Sequence, residues 1–149
     1  MNEDYNIWLT RAKSSLALSK MKTDKDIVYE DLCFQAQQAV EKSLKALLIF
    51  YNVDLKKTHN LITLIKELSE YIEISDKIKE CAILNDYAVQ TRYPGDYTSI
   101  TKEEYDNAVQ IAQNCVKWVR STIKALEKES KKNINQPLLD NSIKQHRNK

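Results

Sequence analysis

An all-α fold, an up-and-down bundle of about five helices, follows from three observations on this sequence. Its 149 residues include one glycine and two prolines, whereas sheet-rich folds use many of both at their turns. Apolar positions recur at spacings of three and four from Val28 to Tyr51, through Leu32, Ala36, Ala39, Val40, Leu44, Leu47 and Leu48, the period of one helix face. No stretch alternates apolar and polar residues as a half-buried strand would. The length suits one domain with a single core.

The elements are expected in this order. A first helix over about 4–21 carries Ile7, Trp8, Ala12, Leu16 and Ser19 on one stripe. A second runs to about Asn52 after "TDKD", where Thr23 and Asp26 form a capping-box pattern. Its length marks it as a spine of the bundle. After the connection "NVDLKK", Thr58 can cap a third helix over about 58–73, with Leu61, Leu64, Ile65 and Leu68 inward. Ser75 can cap a fourth over about 76–92, carrying Ile78, Ala82, Leu84, Tyr87 and Ala88. Thr101 and Glu104 form a capping box for the last helix, about 102–129, whose stripe is Ala108, Ile111, Ala112, Cys115, Val119 and Ile123. Short connections favour antiparallel neighbours. Residues 1–130 therefore read as the bundle domain and 131–149 as a polar, basic tail, flexible or helical in part.

The end of the fourth helix and the turn after it read "LNDYAVQTRYPGDY", with the only glycine, Gly95, and three tyrosines around Arg92. Pro94 cannot continue a helix and drives Tyr93 out of the α region. "YPGD" has the type II turn pattern, with glycine where φ is positive. Two readings stay open. Arg92 can serve as a cation at a helix C-terminus. Alternatively, its guanidinium grips a phosphate while Tyr93 and Tyr97 stack on a base or donate hydroxyl hydrogen bonds.

Charge excludes some functions. The formal net charge is +2, yet 131–149 hold five cations against Asp140, so the body is near −2. A domain built to bind nucleic acid by bulk charge would be strongly basic. Cys33, Cys81 and Cys115 are widely spaced and lack CxxC, so they read as buried apolar residues of a reducing compartment. With only His59 and His146 as histidines, no metal-site spacing occurs. One glycine cannot build a phosphate loop. "MNEDYNIWL" lacks the basic start and apolar run of a secretory signal, and no segment has the length of a membrane span. These features point to a cytoplasmic protein without membrane association, metal or cofactor.

Four stretches together resemble the HEPN domain family, named for higher eukaryotes and prokaryotes nucleotide-binding. They are "DLCFQAQQAVEKSLKALLIF", "THNLITLIKEL", "LNDYAVQTRYPGDY" and "AVQIAQNCVKWV". The resemblance covers about residues 5–125 and is specific: Gln-Gln-x-x-Glu-Lys before Leu-Lys-Ala-Leu, and later Thr-Arg-Tyr-Pro. It implies a HEPN-like bundle, often a homodimer, often partnered by a small nucleotidyltransferase in toxin–antitoxin systems. It also implies nucleotide or RNA binding and, in one branch, metal-independent ribonuclease activity.

That branch relies on an arginine and a histidine with four to six residues between them. Arg92 matches, but Tyr97, Thr98 and Ser99 stand where the histidine belongs. A tyrosine with an ordinary pKa near 10 is a poor base at neutral pH, so the motif is incomplete. His59 and Tyr97 are the candidates to replace the histidine. For His59 the alternative is a structural hydrogen bond near a helix start.

Gln37, Glu41 and Lys45 recur every four residues along the second helix, with Gln38 and Lys42 on a neighbouring stripe. Either this is a solvated face with a Glu41–Lys45 pair, or it is a polar groove in which Lys42 or Lys45 meets phosphate. Lys56 and Lys57 add positive charge before His59. Trp8 and Trp118 read as core or dimer-interface residues. Three functions compete: a nucleotide- or RNA-binding module with Arg92, Tyr93, Tyr97, Lys42, Lys45 and His59 as its contacts, a ribonuclease, and a pure interaction bundle.

Overall fold

A computed structural model describes residues 4–22, 24–90 and 99–135. Among these the fold is all-helical: α1 Tyr5–Ser19, α2 Tyr29–Phe50, α3 Leu61–Leu68, α4 Asp76–Lys79, a 3₁₀ stretch Glu80–Asp86, α5 Tyr87–Gln90 and α6 Lys102–Asn135. The 3₁₀ stretch joins α4 to α5 without a break, so the five expected helical segments are present, the fourth of them composite. A seven-residue 3₁₀ run is longer than such turns usually are.

Cross-links between helices give the directions. Lys42 meets Ser15 and Lys45 lies over Trp8, so α1 runs antiparallel to α2. Tyr29 stacks on Tyr105 and Ser43 contacts Cys115, so α2 and α6 run the same way. Tyr87 bonds Glu104 and Cys81 bonds the Ile111 carbonyl, so residues 76–90 run opposite to α6. The result is an up-and-down bundle with α2 and α6 as its spine.

The core lies where the spacing places it. Leu32, Ala36, Ala39, Val40, Leu44, Leu47 and Leu48 of α2 are buried. So are Leu61, Leu64, Ile65 and Leu68 of α3, and Ala108, Ala112, Cys115, Val119 and Ile123 of α6. Two apolar assignments are corrected. Ile7 is 55% exposed, because Ala12, Ser15 and Ser19 form the buried face of α1. Val28 is exposed, because it precedes α2 as its N-cap.

Helix ends differ from expectation in three places. The second helix starts at Tyr29, and Val28 makes no side-chain cap. Asp24 instead holds a turn by accepting from Asp26 N, while Thr23 lies outside the described residues. The third helix is capped by Asn60, whose Oδ1 accepts from Ile62 N at 2.9 Å, and Thr58 Oγ1 accepts from Asn60 N. The last helix runs on to Asn135. Two expected caps are present: Ser75 Oγ accepts from Ile78 N, and Thr101 Oγ1 from Glu104 N. α2 ends in a Schellman motif, with Asn52 at φ 61° and bonds from Asn52 N to Ile49 O and from Val53 N to Leu48 O.

Candidate functional site: a buried polar stripe beneath His59

The α2 stripe is not a solvated face. Gln37 is 0% exposed, Glu41 3% and Lys45 7%. On one side α1 covers it. On the other, the chain entering α3 brings His59 over it. Glu41 is the hub. Its Oε2 accepts from Lys45 Nζ at 3.1 Å and its Oε1 from Gln37 Nε2 at 3.3 Å. His59 Nδ1 lies 3.2 Å from both carboxylate oxygens. Gln37 Nε2 also reaches the His59 carbonyl at 3.4 Å, and Gln37 Oε1 accepts from Gln38 Nε2 at 2.8 Å. Every polar group in the stripe thus has a partner, as a buried network requires.

The two ends of this network differ in access. Lys45 is sealed in, with its ammonium 5.6 Å from the centroid of the half-buried Trp8 ring. The His59 side chain is 71% exposed. A buried carboxylate beneath an exposed imidazole fixes the ring and decides which nitrogen carries hydrogen. An ionised carboxylate only accepts, so in this contact Nδ1 is the donor.

Lys42 lies on the neighbouring stripe and packs against α1, donating to Ser15 Oγ at 2.9 Å. Burial pushes its ammonium below the usual range; Glu41 opposes that shift and Arg11 adds to it. Arg92, Tyr93 and Tyr97 lie outside the described residues. The described residues on either side of them are tied to the bundle. Tyr87 donates to Glu104 Oε1 at 2.8 Å, and Ile100 N donates to Glu30 Oε1 at 3.1 Å. Asn85 ties the same region to the start of α3, accepting from Leu61 N at 2.9 Å and donating to Asn60 Oδ1 at 3.3 Å.

Sequence spacing places Gln37, Glu41 and Lys45 on one line, but it misses Glu41 and Gln37 as the residues that hold His59. The available signal was a carboxylate flanked at four residues by a cation and an amide, on a helix long enough to be covered on all sides. Among the described residues no three His, Cys, Asp or Glu side chains gather as metal ligands. No described helix is long and apolar enough to cross a membrane.

The fold and site define a helical bundle with a buried charged stripe on its central helix that opens at a single imidazole. A family model for the HEPN domain matches residues 5–125, and the chain belongs to that family. It is similar to the crystal structure of TT1696 from Thermus thermophilus, at 26% identity and a TM-score of 0.71, over 81% of this chain and 98% of that one. It is also similar to ST0689, an archaeal HEPN homologue, at 25% identity and a TM-score of 0.65, with the same coverage. A comparison with curated proteins finds no match.

Proposed function

We propose that this HEPN protein is a binding module for a nucleotide or RNA. His59 and the Arg92–Tyr93–Tyr97 segment contact the ligand, and Lys42 and Lys45 supply positive potential behind them. The observation that carries this reading is the Glu41 network. Burying charges is costly, and apolar residues of similar size would often serve stability as well. A stripe that spends a carboxylate and an ammonium to hold one exposed imidazole is better suited to a ligand than to packing. By the same family reading, the protein works as a homodimer with a small nucleotidyltransferase partner, in a toxin–antitoxin-type system.

Titration calorimetry with ATP, together with anisotropy on a short RNA, tests the binding. The wild type should bind, and Arg92→Ala and His59→Ala should each weaken binding by about tenfold or more. No affinity in the wild type contradicts the proposal.

One observation favours a second reading. A carboxylate orienting an imidazole is also the arrangement of a general base. His59 could then stand in for the missing histidine of a ribonuclease in which Arg92 stabilises phosphate charge. Incubation with structured RNA in EDTA decides: cleavage abolished by His59→Ala supports it, and intact RNA at high protein concentration counts against it.

A further inference from the structure

We propose that Lys42 is a modification site for acyl phosphates: its amine takes the acyl group, and the Arg11 guanidinium beside it holds the phosphate that leaves. The surroundings of this lysine set it apart. It reaches from α2 toward α1, half-buried, and donates to Ser15 Oγ at 2.9 Å. Ser15 is buried, so the bond fixes the end of the lysine side chain in the groove between the two helices. Lys45, Lys56 and Lys102 each meet a carboxylate. Among the described residues no carboxylate pairs with Lys42. Glu41 precedes it in sequence, but that carboxylate is turned to Lys45, Gln37 and His59.

Burial against α1 disfavours the charged form of this amine; Glu41 opposes that, and Arg11 adds to it. Desolvation and a neighbouring cation are the two conditions that make a lysine nucleophilic. Arg11 lies one helical turn before Ser15 on α1 and is exposed, so its fork is open to an incoming anion. A carbonyl joined to a phosphate fits both groups at once, the carbonyl on Lys42 and the phosphate on Arg11. A neutral acyl donor uses only the lysine. In the reaction the unprotonated amine attacks the carbonyl carbon and a carbon–nitrogen bond forms. The bond from that carbon to the phosphate oxygen breaks, phosphate leaves with the electron pair, and the surplus amine proton passes to water. The product is an uncharged amide. Resting on the binding reading above, this step weakens nucleotide or RNA binding, because Lys42 no longer supplies positive potential.

The test incubates the full chain with acetyl phosphate near neutral pH and follows each lysine by peptide mass spectrometry. Lys42 should gain acetyl about threefold or more faster than the exposed Lys57 and Lys117. Arg11→Gln should slow Lys42 more with acetyl phosphate than with a neutral N-hydroxysuccinimide ester of acetate, and its melting curve should match wild type because the position is exposed. Lys42 labelled no faster than Lys57 and Lys117 overturns the site. Equal slowing of both reagents by Arg11→Gln overturns the phosphate role of Arg11. Calorimetry with ATP reads the consequence. Lys42→Gln, which carries an uncharged amide in place of the ammonium, should bind about threefold more weakly. Unchanged affinity overturns the regulatory step. Absence of ATP and RNA binding in the wild type overturns the binding reading instead, and leaves the acylation site standing.

Discussion

At the scale of single residues, Glu41 and His59 form a pair with unequal roles. Glu41 is buried between Lys45, Gln37 and His59, so Glu41→Ala should destabilise the fold by about 3–5 kcal/mol, because it leaves the Lys45 ammonium buried without its counter-charge. His59→Ala removes an exposed partner and should cost less than about 1 kcal/mol. Urea unfolding of the two variants checks both values, and a reversed order would mean that the network serves the fold through the histidine. The four-residue spacing of Gln37, Glu41 and Lys45 was legible in the sequence. Its direction was not. A polar stripe faces water unless another element covers it, and coverage is decided by α1 and by the entry to α3, which are distant in sequence. His59 was legible as a candidate because the body has no other histidine, but its link to a carboxylate 18 residues earlier exists only in three dimensions.

At the scale of elements, the apolar stripes were read correctly apart from Ile7 and Val28, and the ends less well. Thr58 and Asn60 both carry capping side chains. Asn60 takes the role because Leu61 and Leu64 must enter the core and because Asn85 claims the Leu61 amide from across the bundle. Asn85→Ala should therefore cost about 1 kcal/mol and speed exchange of the Leu61 amide hydrogen. Asn52 ends α2 at positive φ, a conformation that costs a β-carbon-bearing residue about 1–2 kcal/mol unless its side chain is suited to it. Asn52→Ala should lower stability by about 1 kcal/mol, and Asn52→Gly should change it little. Both are readable from denaturant midpoints. The 3₁₀ stretch at Glu80–Asp86 was not legible, since its apolar spacing fits an α-helix equally well. Packing selects the tighter form, with Cys81 and Leu84 buried and Asn85 turned to α3.

For the whole molecule, the fold class was the most legible property, because scarce glycine and proline and long periodic stripes constrain it at every level. The cysteines belong to this scale, since they lie on three elements facing one core. All three are free and buried. Burial, with Glu104 and Glu30 nearby, pushes the Cys33 thiol up to about 12. Cys81 is likewise raised, first by its contact with Cys115 and then by burial. Burial shields all three thiols, and little Cys33 or Cys81 thiolate exists at pH 8 in the folded state, so a disulfide-exchange reagent should leave the native thiols intact and modify all three in urea. Fast labelling of the native protein would mean that the bundle opens readily. α6 continues past its last buried residue, Ile123, into an exposed stretch at 128–132. Deleting 131–149 should therefore shift Tm by no more than about 2 °C.

The most direct measurement is a nitrogen-15 spectrum of the imidazole of His59, recorded in a His146→Gln background during titration with ATP. The account predicts a hydrogen on Nδ1 throughout and a shift at Nε2 that saturates with ligand. A ring with no hydrogen on Nδ1 in the free protein, or an Nε2 signal unmoved when calorimetry shows the ligand bound, would contradict it.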